Sequence, residues 1–152
     1  MKINMLVGIV AAMASFGTIT NASAQQKPED VIKYRKSLMG VQSWSMRPIG
    51  AMVKGQMPYD KDLVARNAAM LDMTGKMMLE GFAAGSDKGA DTKAKPEVWS
   101  DGAKFKSANE AFQAEAAKLA DVAKTGDFDK IKVQFGATAK ACSNCHDNFR
   151  NK

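Results

Sequence analysis

Between residues 28 and 150, apolar residues recur at intervals of three, four and seven, the period of amphipathic helices, and no run alternates convincingly as a half-buried strand does. Pro28-Glu29-Asp30 places a proline and two acids where a helix N-terminus favours them. A first helix is expected from there through Leu38, Met39 and Val41 to Met46, or onward to Lys54 with a kink at Pro48. Gly55, Pro58 and Asp60 form a turn, with Asp60 as the N-cap of a second helix. Leu63, Met70, Met73 and Met77 share one face of that helix, which is expected to end near Gly81 to Gly85. Gly85 to Lys95, rich in Gly, Lys and Asp, reads as a long loop. Pro96 to Asp101 forms a turn of helix before a third helix with Phe105, Phe112, Leu119 and Val122 inward. Gly126-Asp127 ends it and caps a fourth, Phe128 to Arg150, on which Ile131, Phe135, Cys142, Cys145 and Phe149 keep helical spacing. The expected fold class is all-α, a four-helix bundle with short links and one long connection.

The first 24 residues follow another pattern. Lys2 precedes an apolar stretch from Met5 to Ile19, then Ala22 and Ala24 in an A-x-A arrangement. This is the pattern of a secretory signal peptide cleaved after Ala24, and the stretch is too short and too broken by Gly17, Thr18 and Thr20 to favour a spanning anchor. Residues 1–24 are therefore set apart, and 25–152 suit one domain with one core. Removing Lys2 takes the formal charge from +6 to +5, a modest excess spread among interleaved acids. That distribution reads as a solvated surface and argues against a nucleic-acid partner. No membrane insertion of the mature chain is expected.

The only histidine and the only two cysteines fall together in Cys142-Ser-Asn-Cys145-His146. C-x-x-C-H is the attachment sequence of a c-type haem: each thiol reaches one vinyl group of the porphyrin, and the adjacent imidazole binds the iron. A zinc site lacks the further ligands it needs, a thioredoxin-like dithiol lacks a preceding strand, and a plain disulfide leaves His146 unexplained. One covalent haem c per chain is the expected cofactor. Six residues follow His146 and no second histidine exists, so a sixth ligand is expected to be a methionine from an earlier helix or absent. Attachment of this kind takes place outside the bacterial cytoplasmic membrane, which agrees with an exported, periplasmic protein.

Four segments then carry a resemblance: Pro28-Glu-Asp-Val-Ile-Lys-Tyr-Arg35, Val53-Lys-Gly-Gln-Met-Pro-Tyr-Asp60, Lys95-Pro-Glu-Val-Trp-Ser-Asp101 and Cys142-Ser-Asn-Cys-His-Asp-Asn-Phe-Arg150. In this order, across the mature chain, they resemble the class II cytochromes c, the family of cytochrome c′ and its low-spin relative cytochrome c-556. The resemblance implies an antiparallel four-helix bundle and a homodimer through the first two helices. It also implies binding of small gases, chiefly nitric oxide, or periplasmic electron transfer with a redox partner that the sequence does not identify. Residue by residue, it implies thioethers at Cys142 and Cys145 and a proximal ligand at His146. Arg150, one turn after His146, matches a basic residue whose charge opposes protonation of the imidazole. Arg35, with Lys36 beside it, matches an arginine that approaches a haem propionate, and Phe82 and Asp91 fall where the second helix and the loop approach the haem edge.

Met39 matches the position over the distal iron face. In cytochrome c-556 a methionine there ligates iron; in some cytochromes c′ it only packs over an open site. The thioether suits either role. Arg35 and Pro96-Glu-Val-Trp-Ser-Asp101 lean toward cytochrome c′, while Met39 and the Cys142-to-Arg150 run lean toward c-556. The reading favours the open site: a five-coordinate haem binding nitric oxide and carbon monoxide behind an apolar distal wall without polar donors. The alternative is an electron carrier with His146 and Met39 as axial ligands. A peroxidase lacks a distal histidine or carboxylate here, so the chain is not read as an enzyme. Met70, Met73, Met77 and Met78 read as bundle core in preference to a copper site, and Trp44 and Trp99 as packing aromatics at helix contacts. Gly136, inside the last helix, reads as a point of close approach by the haem or another helix.

Overall fold

The computed structural model describes residues 26–152, and the signal-peptide assignment lies outside that range. Five α-helices follow one another: α1, Pro28–Val53; α2, Lys61–Met77; α3, Glu97–Ser100; α4, Gly102–Thr125; and α5, Phe128–Phe149. A 3-10 segment, Met78–Phe82, extends α2. Four are long, and together they form the expected bundle. Among the described residues there is no strand, only an isolated antiparallel bridge between Ala94 and Arg150.

Local chemistry sets the boundaries. Pro28, Glu29 and Asp30 occupy the first turn of α1, where a missing N–H costs nothing and negative charge meets the positive helix end. The helix continues through Pro48 to Val53, the longer of the two expected forms. It ends in a Schellman motif: Gly55 N–H donates to the Met52 carbonyl and Gln56 N–H to that of Ala51, at 3.0 and 2.8 Å. Gly55 adopts φ +70°, which a side chain would resist. Asp60, Asp101 and Asp127 cap α2, α4 and α5, accepting from the N–H groups of Leu63, Lys104 and Lys130.

α1 packs on α2, α2 on α4, and α4 on α5, whereas α1 and α5 scarcely touch. The aliphatic core, including Ile49, Met52, Val64, Leu71, Leu119 and Ile131, joins the four long helices. A smaller cluster of Val98, Phe105 and Phe149, with Phe82 and Trp99 against it, lies apart from that core.

Three expectations need correction. The buried face of α2 is Val64, Asn67, Ala68, Leu71, Thr74 and Gly75, whereas Met70 and Met73 are 38% and 50% exposed. α2 approaches α4 closely enough that a Cβ on Gly75 would lie 3.0 Å from the Phe112 ring. Small residues are therefore needed at that contact, and the methionines turn outward. Of the methionine group only Met78 is buried. Trp44 is 73% exposed and is no helix-contact residue within one chain, whereas Trp99 packs as expected and donates from its indole to the Phe82 and Ala83 carbonyls. Gly136 has no protein group within 4 Å of where a Cβ would stand, so approach of another helix does not account for it.

Candidate haem site

Where α1 and α5 stand apart, a cavity of about 610 Å³ opens between them. Its α1 wall is a single stripe, Arg35, Met39, Gln42, Ser43 and Met46, set by helical periodicity. Its α5 wall carries Ala139, Cys142, Cys145, His146, Phe149 and Arg150. Phe105, Asn109 and Phe112 of α4 line it further, with Met78, Phe82 and Val98. The loop residues Asp91 to Ala94 complete the lining. All nine side chains singled out from the sequence meet here: Arg35, Lys36, Met39, Phe82, Asp91, Cys142, Cys145, His146 and Arg150.

The cysteines and the histidine share one face because residues three and four apart on a helix lie one above another. Both thiols are free and half-buried. Burial, helped by the proximity of Cys145, pushes the Cys142 thiol up to about 11, and burial raises Cys145 as well. A redox dithiol favours the opposite, a depressed pKa. For His146, burial first and the Arg150 charge second hold the imidazole below its ordinary pKa, against a smaller opposing effect of Asp147. The ring is thus neutral near pH 7, the form that binds a metal.

Arg35 stands at the loop end of the α1 wall. It is buried, and its four terminal N–H groups are committed within the protein. Nη1 donates to the Gly81 carbonyl and Ser86 Oγ at 3.2 and 2.9 Å, and Nη2 to the Ser86 carbonyl and Thr92 Oγ1 at 2.7 and 2.8 Å. The guanidinium lies over the Phe82 and Trp99 rings, 5.2 and 5.6 Å from their centroids. Burial lowers its pKa, with Asp87 acting in the other direction. Arg35 is thus the post to which the loop is tied. Lys36 and Asp91 pair at 3.4 Å on the exposed rim, a contact of little energetic weight. The loop is also fastened to the chain after α5: Lys95 N–H donates to the Phe149 carbonyl and Asn151 N–H to that of Lys93, at 2.9 and 2.8 Å.

Sequence reasoning missed Gln42, Ser43 and Asn109, and the expected wall without polar donors is corrected by them. Their signal was periodicity: Gln42 lies three residues after Met39, and Asn109 stands between Phe105 and Phe112 on one stripe. Gln42 Nε2 and Asn109 Nδ2 are buried without a hydrogen-bond partner. Buried amides left this way cost about 1–3 kcal/mol each unless something else satisfies them. Two orphaned amides, a roomy lining largely of apolar side chains, two free thiols and a neutral imidazole together fit a porphyrin.

The comparisons with known proteins agree. The family described as cytochrome c′ matches residues 30–150. Cytochrome c′ of Rubrivivax gelatinosus is 43% identical over 127 residues, covering 84% of this chain and 98% of the relative. Its crystal structure superposes with a TM-score of 0.80, covering 83% of this chain and 98% of that one. A nitric oxide complex of a cytochrome c′ variant from Alcaligenes xylosoxidans gives a TM-score of 0.76 at 36% identity, covering 83% and 98%. Cytochrome c-556 of Rhodopseudomonas palustris is 34% identical, covering 88% of this chain and 91% of the relative. The chain belongs to the cytochrome c′ family of class II cytochromes c, and its cofactor is covalently bound haem c.

Proposed function

We propose that this cytochrome c′ holds haem between α1 and α5, with the α1 side open to nitric oxide and carbon monoxide, and that it also exchanges single electrons. Bound there, haem supplies an iron centre that changes oxidation state by one electron and accepts a small diatomic ligand. Cys142 and Cys145 are the thioether positions and His146 the proximal ligand, kept neutral by burial and by Arg150. Met39, on the opposite wall, fills space beside the open face. Phe82, Phe105 and Phe149 pack edge to face, with centroids 4.7 and 5.2 Å apart, and exclude water from one side of the cavity. Arg35 holds the loop at the rim. The role is binding and electron exchange, not turnover of a substrate.

The observation that carries this reading is the separation of α1 from α5 by one cavity, with Met39 and His146 on opposing walls. Adding nitric oxide to ferrous protein at near-stoichiometric amounts is expected to change the Soret spectrum; an unchanged spectrum refutes the reading.

A second reading has specific support in the similarity to cytochrome c-556 and in a methionine lining the cavity. In it Met39 ligates iron, raising the reduction potential, and the protein is a low-spin carrier. Met39→Ala then converts a low-spin spectrum to a high-spin one, and an unchanged spectrum sinks it.

The same proposal places the mature protein in the periplasm after cleavage behind Ala24. Among the described residues no helix is long and apolar enough to cross a membrane. It also includes a homodimer through α1 and α2, supported by the exposed apolar side chains Trp44, Met70 and Met73 on those helices.

A further inference from the structure

We propose that Gln42 is a hydrogen-bond donor to small ligands on the α1 side of the cavity, favouring those whose outer atom carries negative charge; this rests on the open-site reading above. Arg35, Met39, Gln42 and Met46 stand at intervals of four, three and four, so they form one stripe on the wall that faces His146. The two methionines offer only thioether sulfur, a weak acceptor with no proton to give. The terminal N–H groups of Arg35 are occupied by Gly81, Ser86 and Thr92.

Gln42 is different. Its residue is 9% exposed and lines the cavity, and its buried Nε2 has no partner in the protein. A buried amide in such a place is costly unless the occupant of the cavity completes it. Asn109, the other orphaned amide of the cavity, belongs to the α4 wall between two phenylalanines. Gln42 alone of the pair shares a wall with Met39, one helical turn away on the face opposite the proximal imidazole. A neutral N–H there attracts partial negative charge on the far atom of a bound diatomic molecule.

The test uses mature haem-loaded protein and carbon monoxide as a vibrational probe. A donor near its oxygen lowers the C–O stretching frequency of the ferrous adduct. Gln42→Leu and Gln42→Met, the second preserving side-chain length, are expected to move the band to higher wavenumber. Both are expected to release nitric oxide about two- to tenfold faster, the range of one hydrogen bond. Each variant removes an unpartnered amide from the interior, so both are expected to fold and retain haem. A band that stays put, or falls, in both variants overturns the proposal. Wild-type protein that takes up neither gas overturns the open-site reading and this inference with it, an outcome distinct from an unmoved band.

Discussion

At the scale of the residue, Arg35 shows how a side chain's place can be read from sequence while its protein partners cannot. Its place on the first helix, one turn before Met39, is visible in the sequence, and it lines the cavity between α1 and α5. Its partners are not visible, because Gly81, Ser86 and Thr92 lie about fifty residues away and reach it only through the path of a long loop. Arg35→Ala leaves the Gly81 and Ser86 carbonyls without their donor and removes the cation from two aromatic faces. The expected cost is about 2–4 kcal/mol, read as a lower denaturation midpoint of the haem-loaded protein. Arg35→Lys recovers only part of it, since an ammonium cannot hold four acceptors in a planar fork. A variant as stable as wild type contradicts the loop-anchor role. Cys142, Cys145 and His146 stand at the other extreme. Their chemistry is stated entirely by local spacing, and helical geometry alone brings them to one face.

At the scale of the element, helix starts are the most legible feature. Asp60, Asp101 and Asp127 cap where side-chain chemistry says they should, because capping depends on the three residues that follow. Which face of a helix is buried depends on the neighbour, and here α2 deceives. Its methionines repeat at plausible intervals, yet α4 supplies the bulky Phe112 and Leu119, so α2 answers with Ala68 and Gly75. The 3-10 segment after α2 was likewise not visible in the apolar pattern. It brings Gly81 so near to α1 that an added Cβ would stand 2.5 Å from that of Arg35. Gly81→Ala forces backbone to move away from α1 and is expected to cost about 1–3 kcal/mol. Hydrogen exchange at the amides of residues 78–92 should quicken at the same time. Unchanged stability and exchange would show that the contact is readily relaxed.

At the scale of the whole molecule, the bundle is three well-packed helix pairs and one pair held apart. That gap is the candidate site. Among the described residues every ion pair but Lys36–Asp91 is local to one helix and its cap, as in Lys76–Asp72, Lys118–Glu115 and Lys130–Asp127, which agrees with the solvated surface read from the sequence. The architecture was legible because four amphipathic segments with capped ends and short links have few ways to pack. The polarity of the α1 wall was not, because an orphaned amide is recognised only once its surroundings are known. Whether Met39 occupies the iron is the claim on which the functional account turns, and it is answered by the optical spectrum of the ferrous protein at neutral pH. The account predicts a high-spin Soret band with one broad, unresolved band in the visible region, the mark of an open sixth position. Sharp, separate α and β bands would contradict it and place a side chain, Met39 first among them, on the iron.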